Sequence, residues 1–219
     1  MNYTAEHVST PAIDQDLVSR ANHSVSIGTG YMIAGHPIFQ ITFPGLSVQQ
    51  AVTWSLDAST MLWAERQSYN QPYYRGLYAV TTMDRVFISD AFTGMIWEMS
   101  DTVYAEGTDP LIFEVTSIHL LKNGDQFSAD SVQIDIETGL GTATGQGENP
   151  HGMIQISKDG GHTWQTERWV PLGKIGEYRR RAIRRRLGSA RDIAIRFRVT
   201  DPIPRRVSGA YLMLSEGDA

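Results

Sequence analysis

Ser157-Lys158-Asp159-Gly160-Gly161-His162-Thr163-Trp164 fits S-x-D-x-G-x-T-W at every position, the pattern of the Asp-box hairpin. The chemistry of such a turn is local. The Ser and Asp side chains accept hydrogen bonds from turn amides, the glycines take positive φ, and the Thr and Trp re-enter a strand with the indole packed beneath the turn. The pattern therefore specifies a fold element, in which Ser157, Asp159, Gly161, Thr163 and Trp164 are structural. It does not specify an active site, because the same hairpin serves catalytic and non-catalytic proteins.

Used as a ruler along the chain, the pattern finds two degenerate copies. Residues 57–66 read Asp-Ala-Ser-Thr-Met-Leu-Trp-Ala-Glu-Arg and residues 90–98 read Asp-Ala-Phe-Thr-Gly-Met-Ile-Trp-Glu. Each is a strand, an Asp/Thr turn and a Trp-bearing strand. The first two start 33 residues apart and the second and third 69 apart, compatible with blade-sized units of roughly 40 residues. Three unrelated hairpins sharing ordinary turn chemistry would read the same way. Period-two runs enriched in β-branched and aromatic residues at 36–43, 85–89, 111–115, 131–136, 152–156 and 193–199 predict strands throughout. One helix is predicted over Pro11 to Arg20, with Thr10 as cap and Pro11 at its first position. The expected class is all-β, with β-propeller-like blades and a β-sandwich-like C-terminal layer.

The segment Glu137 to Pro150 is Gly- and Thr-rich and predicts an exposed loop or boundary. It coincides with a change of charge: residues 1–150 carry 5 Lys+Arg against 17 Asp+Glu, residues 151–219 carry 14 against 7. The expected organisation is a propeller-like region over 1–130 and a C-terminal region over 131–219, with a soft boundary in 120–150 or a single domain. Opposite charge at the two ends suits head-to-tail stacking of copies or a place between unlike partners; two merely solvated faces are the alternative.

A chain of 219 residues that is 41% hydrophobic buries a real core. The absence of cysteine excludes disulfides and thiolate metal sites. The first 17 residues lack the basic start and apolar run of a signal peptide, and no apolar run approaches a membrane span. A soluble protein made in a cytosol is expected, with no membrane partner.

Catalytic signatures are lacking. The six histidines form no metal spacing, and there is neither a G-x-S-x-G elbow nor a Walker-type phosphate loop. Tyr178 beside Glu177, followed by Arg179 to Arg181, offers the residue types of a sialidase, but adjacent strand residues point to opposite faces. No catalytic residue, metal or cofactor is expected. The strongest local chemistry is the tract Arg179, Arg180, Arg181, Arg184, Arg185 and Arg186. Guanidinium forks bind carboxylate or phosphate at two points and tolerate partial burial, which favours pairing within or between subunits, or contact with DNA. The loop Tyr69-Asn70-Gln71-Pro72-Tyr73-Tyr74 reads either as a binding surface for sugars or proteins or as a loop folded down on its sheet.

Taken in order, Gly35 to Pro44, the Asp57 to Arg66 turn, Asp90 to Glu98, and Ser157 to Trp164 followed by Gly176-Glu177-Tyr178-Arg179-Arg180-Arg181 resemble the packaged-DNA stabilisation proteins, or tail accessory factors, of short-tailed bacteriophages. The resemblance runs from about Ser9 to Tyr211. It implies a non-enzymatic virion protein, assembled in the host cytoplasm as a ring, expected to be a hexamer, below the portal and adaptor rings. Such a ring extends the tail channel and helps retain packaged DNA, while tailspikes, fibres or a needle dock on it. Family members are longer, so the chain resembles their C-terminal part or a reduced form, whose exposed strand edges need covering by neighbours. A phage-associated carbohydrate-binding module using the Tyr69 to Tyr74 loop is the alternative, and a propeller glycosidase a third.

Overall fold

The computed structural model describes residues 7–47 and 49–215, so residues 1–6 of the leader reading lie outside it. The chain forms two compact units, residues 1–102 and 103–219. The division falls ahead of the 120–150 window suggested by composition. The Gly-rich segment 137–150 is irregular, yet it is not a boundary: Thr138, Gly139, Gly141, Gly147 and Pro150 are buried within the second unit. Gly139 N–H donates to the Leu172 carbonyl, and a Cβ on Gly141 would meet the Gly147 carbonyl oxygen at 2.9 Å. Lack of side chains here allows close backbone packing, which composition reads as a loop. The charge asymmetry narrows as well: the first unit carries 4 Lys+Arg against 9 Asp+Glu, and the second 15 against 15.

In the first unit, helix α1 (Pro11–Ser19) starts where expected, with the Thr10 hydroxyl accepting from Ile13 N–H. Its Asp16 takes the Arg20 fork at 2.7 Å and the Trp54 indole N–H at 2.8 Å, fixing the helix to the sheet. Strands β1 (Ile27–Ile33), β2 (His36–Phe43), β3 (Val52–Asp57) and β4 (Leu62–Arg66) form an antiparallel meander in that order. A second meander comprises β5 (Gly76–Thr82), β6 (Arg85–Asp90) and β7 (Ile96–Met99). The two-residue connections Ala34-Gly35 and Met83-Asp84 have positive φ at both positions, the primed turn that matches strand twist. The centre of this unit is partly polar and only partly satisfied: Gln40 Nε2 donates to the Gly76 carbonyl at 2.7 Å and the Thr42 and Thr53 hydroxyls meet at 3.0 Å, while Gln40 Oε1 and Ser55 Oγ are buried without a hydrogen-bond partner among the described residues.

The second unit begins with a small ribbon, β8 (Ala105–Glu106) and β9 (Asp109–Pro110). Its two main sheets are built from β10 (Phe113–Thr116), β11 (Leu120–Leu121), β12 (Phe127–Ile136), β13 (His151–Ser157), β14 (Arg168–Pro171), β15 (Ala182–Ala190), β16 (Asp192–Val199) and β17 (Val207–Ser215). One sheet runs β10-β16-β13-β14, with β11 also on β16; the other runs β15-β12-β17. Inward residues of both, including Val132, Ile154, Ile156, Ile193 and Phe197, form one apolar core, as in a β-sandwich. The structure is thus all-β with a sandwich in its C-terminal part.

A bulge shapes this core. Along β12 the buried apolar positions are Phe127 and Ala129, then Val132, Ile134 and Ile136, with Ser131 also buried at the change of phase. The register shifts between Ala129 and Ser131, and this one-residue slip keeps both halves facing inward. Opposite, Arg186 and Leu187 of β15 face Asp130 alone, and Arg186 takes φ +60°. Consequently Arg185 and Arg186 both point out before Leu187 returns to the core.

All three Asp turns form as local chemistry demands. Asp57 accepts from Ser59 N–H at 2.9 Å, Asp90 from Phe92 N–H at 2.7 Å, and Asp159 from Thr163 N–H at 2.9 Å. Ser157 Oγ accepts from Gly161 N–H at 2.9 Å, and both Gly160 and Gly161 have positive φ. The first two turns close the hairpins β3–β4 and β6–β7. The third differs from expectation: Thr163 and Trp164 do not re-enter a strand, since β14 begins only at Arg168. Instead the Trp164 ring lies under the Arg196 guanidinium at 3.9 Å, a pairing that draws it off the strand path.

These carboxyls titrate low. Bonding to the Ser59 hydroxyl holds Asp57 well below the usual carboxylate range, and the Thr163 hydroxyl and amide hold Asp159 at about 2. At Asp90 burial pushes upward, but the Phe92 amide and Trp97 indole outweigh it and the net direction is down. A folded-state value below the unfolded one stabilises above the unfolded value and is lost as pH falls towards the folded one. Stability should therefore be level through neutral pH and fall between about pH 4 and pH 2. Chemical denaturation across that range checks it; a decline starting above pH 5 would contradict it.

Candidate anion-binding groove

The arginine tract divides. Arg179, Arg180 and Arg181 lie in the turn before β15, all exposed, and Arg180 is clamped by Glu177 at 3.0 Å. Arg184, Arg185 and Arg186 lie on β15 and line a groove of about 470 Å³ with Gln165, Arg168 and Trp169. Arg168 and Trp169 were not singled out from sequence. Their signal was a basic–aromatic pair four residues past the Asp-box tryptophan.

Arg184 is the groove's anchor. It lies on an edge strand, half-buried, and reaches the facing sheet, donating through Nη1 to the Ile154 carbonyl and through Nη2 to Gln165 Oε1, each at 2.9 Å. Burial, and then the neighbouring charge of Arg168, lower its pKa. Removing the fork takes a donor from a β13 carbonyl and from Gln165 Oε1, so Arg184→Ala should lower stability by about 2 kcal/mol, read from the urea midpoint. Lysine, lacking the fork, should restore little; full recovery with lysine would show that charge alone matters.

Four other arginines of the unit are occupied. Arg198 pairs with Glu114 at 2.5 Å, Arg196 with the same carboxylate at 3.4 Å, and Arg206 with Glu137 at 3.2 Å. Arg205 donates to the Tyr104 and Asp201 carbonyls. By contrast, among the described residues no carboxylate lies within ion-pair distance of Arg168, Arg184, Arg185 or Arg186. The groove holds concentrated positive charge with no internal counter-ion. Beside it, Trp169 is 64% exposed, with its Nε1 donating to Glu167 Oε1 at 2.9 Å.

The tyrosine loop lies down on the first unit. Tyr74 is buried beneath the Arg66 guanidinium at 4.1 Å, Tyr73 packs against Phe92 with ring centroids 5.0 Å apart and tilted by 43°, and Tyr69 is left exposed. Near the Asp57 turn a His, a Ser and an Asp come together, but His36 Nδ1 meets both Asp57 Oδ2 and Ser59 Oγ. A relay needs the two ring nitrogens engaged separately, so this is a closed turn.

Residues 113–215 match the family model for bacteriophage P22 Gp10, beta-sandwich. That stretch is β10 to β17, so the sandwich and the whole arginine groove lie in the Gp10-like part. The match supports the resemblance to tail proteins of short-tailed phages. No curated protein matches the chain. Among solved structures, one titled "Glycoside hydrolase" aligns at 7% identity over 85% of this chain and 59% of its own, with a TM-score of 0.26. The exo-beta-1,3-galactanase of Phanerochaete chrysosporium aligns at 10% identity over 84% and 56%, with a TM-score of 0.22. The chain thus spans under three-fifths of either protein, and at such TM-scores the likeness to glycosidases carries no functional argument.

Proposed function

We propose that this chain is a non-enzymatic structural component of a phage tail, a hub ring below the portal and adaptor that helps retain packaged DNA and carries spikes, fibres or a needle. The observation that supports it most is the Gp10-like sandwich bearing a basic groove with no internal counter-ion, a surface made for a partner. The first unit supplies a second argument. Its meanders are blade-sized antiparallel sheets whose outer strands β4 and β7 carry Leu62 at 69% and Ile96 at 75% exposure. Such edges are covered when copies pack side by side.

Self-assembly is tested by light scattering of the purified chain at low and high salt, with negative-stain images of the same fractions. A ring of about six copies that loosens with salt is expected under this reading. A monomer under both conditions would count against self-assembly. The carbohydrate-binding reading is favoured by no observation, because Tyr73 and Tyr74 are engaged in packing.

A further inference from the structure

We propose that the groove between β14 and β15 binds a flexible nucleic-acid strand, with Arg168, Arg184, Arg185 and Arg186 on successive phosphates and one base stacked on Trp169. The proposal rests on the groove's being a partner surface and names the partner.

Three observations carry it. First, the four arginines line one groove and, among the described residues, none has a carboxylate within ion-pair distance, although the unit holds as many acidic as basic residues and pairs Arg180, Arg196, Arg198 and Arg206 with them. Four guanidinium groups lining one groove without a counter-ion suit an external anion. Second, the site is preorganised: Arg184 is fixed at two points, and the β15 bulge turns two consecutive arginines outward where a regular strand would bury one. The mutual repulsion of Arg168 and Arg184 is relieved when an anion arrives. Third, Trp169 stands exposed in this basic setting, its N–H already engaged by Glu167. The His151 ring packs against the indole at 5.9 Å, tilted by 49°, and the rest of the exposed ring is left to stack on a nucleobase irrespective of sequence. An acidic peptide would use the guanidinium groups equally well but has no need of the indole. A duplex hides its base faces, so an unpaired strand fits better.

The test uses the full chain and a fluorescein-labelled 15-nucleotide oligo-dT, followed by anisotropy between 50 and 200 mM salt, with a 15-base-pair duplex and poly-glutamate as competitors. Four phosphate contacts on a single strand predict a log–log salt slope of about −3. Arg168→Gln with Arg186→Gly should bring the slope to about −1.5. Arg186→Gly is chosen because glycine accepts the positive φ there. Trp169→Ala should weaken binding about tenfold and leave the slope unchanged. Poly-glutamate competing as well as the oligonucleotide would overturn the proposal in favour of an acidic protein partner. So would an unaffected Trp169→Ala, or a duplex that outcompetes the single strand. Oligomer size is measured in the same samples: a ring that fails to bind the oligonucleotide sinks this proposal and leaves the hub reading standing, whereas binding by a monomer does the reverse. Circular dichroism confirms that each variant folds, since the three altered side chains are exposed.

Discussion

Phe197→Ala is expected to destabilise the second unit by about 3–5 kcal/mol, enough to leave a domain of this size largely unfolded under mild denaturant. Phe197 lies on β16, 1% exposed, in register with Val115 of β10 on one side and Ile154 of β13 on the other. Its ring occupies the space above Gly152, where an added Cβ would come within 2.4 Å of Phe197 Cε2. Glycine and ring are thus one packing device. Gly152→Ala alone should destabilise by overpacking, about 1–3 kcal/mol, and the same change should be better tolerated beside Phe197→Leu. Urea midpoints of the two single variants and the double variant measure the coupling. Additive losses would show that the two sites do not share that space.

In the first unit the largest single effect should come from Asp90→Ala, about 3–5 kcal/mol. The carboxylate is fully enclosed, with a side-chain exposure of 0%, and Arg75 Nε lies 3.2 Å away. It also accepts from the Phe92 and Thr93 amides and, at 2.7 Å, from the Trp97 indole N–H. Truncation strips three hydrogen-bond donors of their acceptor inside the protein and removes the carboxylate beside the Arg75 guanidinium. Asp57 bonds to Ser59 and His36 with its side chain 22% exposed, so Asp57→Ala should cost distinctly less. Thermal unfolding with near-ultraviolet circular dichroism as readout separates them. Equal losses at the two sites would show that enclosure of Asp90 is not what sets its weight.

The groove explains why the sequence named half of it. A run of arginines on a period-two pattern is visible in one dimension, and so was the choice of guanidinium over ammonium. Arg168 and Trp169 were invisible as members, because they enter through a strand on the facing sheet. Arg179 to Arg181 belong to the run in sequence but fall in a turn, where Glu177 draws in Arg180.

What the sequence by itself determined was everything decided within a few residues. Alternation set strands over 36–43, 85–89 and 193–199, each within one residue of the strand that forms, and Asp57, Asp90 and Asp159 closed their turns because an aspartate reaches amides two to four residues ahead. The helix started at Pro11 because Thr10 caps it. Only the tertiary structure decided which strands pair and what the turns serve. The Asp-box sits in a sandwich because β13 pairs with β16, more than thirty residues away, and the bulge opposite Asp130 follows from keeping both halves of β12 against a shared core. Turn chemistry is a short-range property that any fold can use. Strand partnership is set by which apolar faces bury one another, and that depends on the whole unit at once.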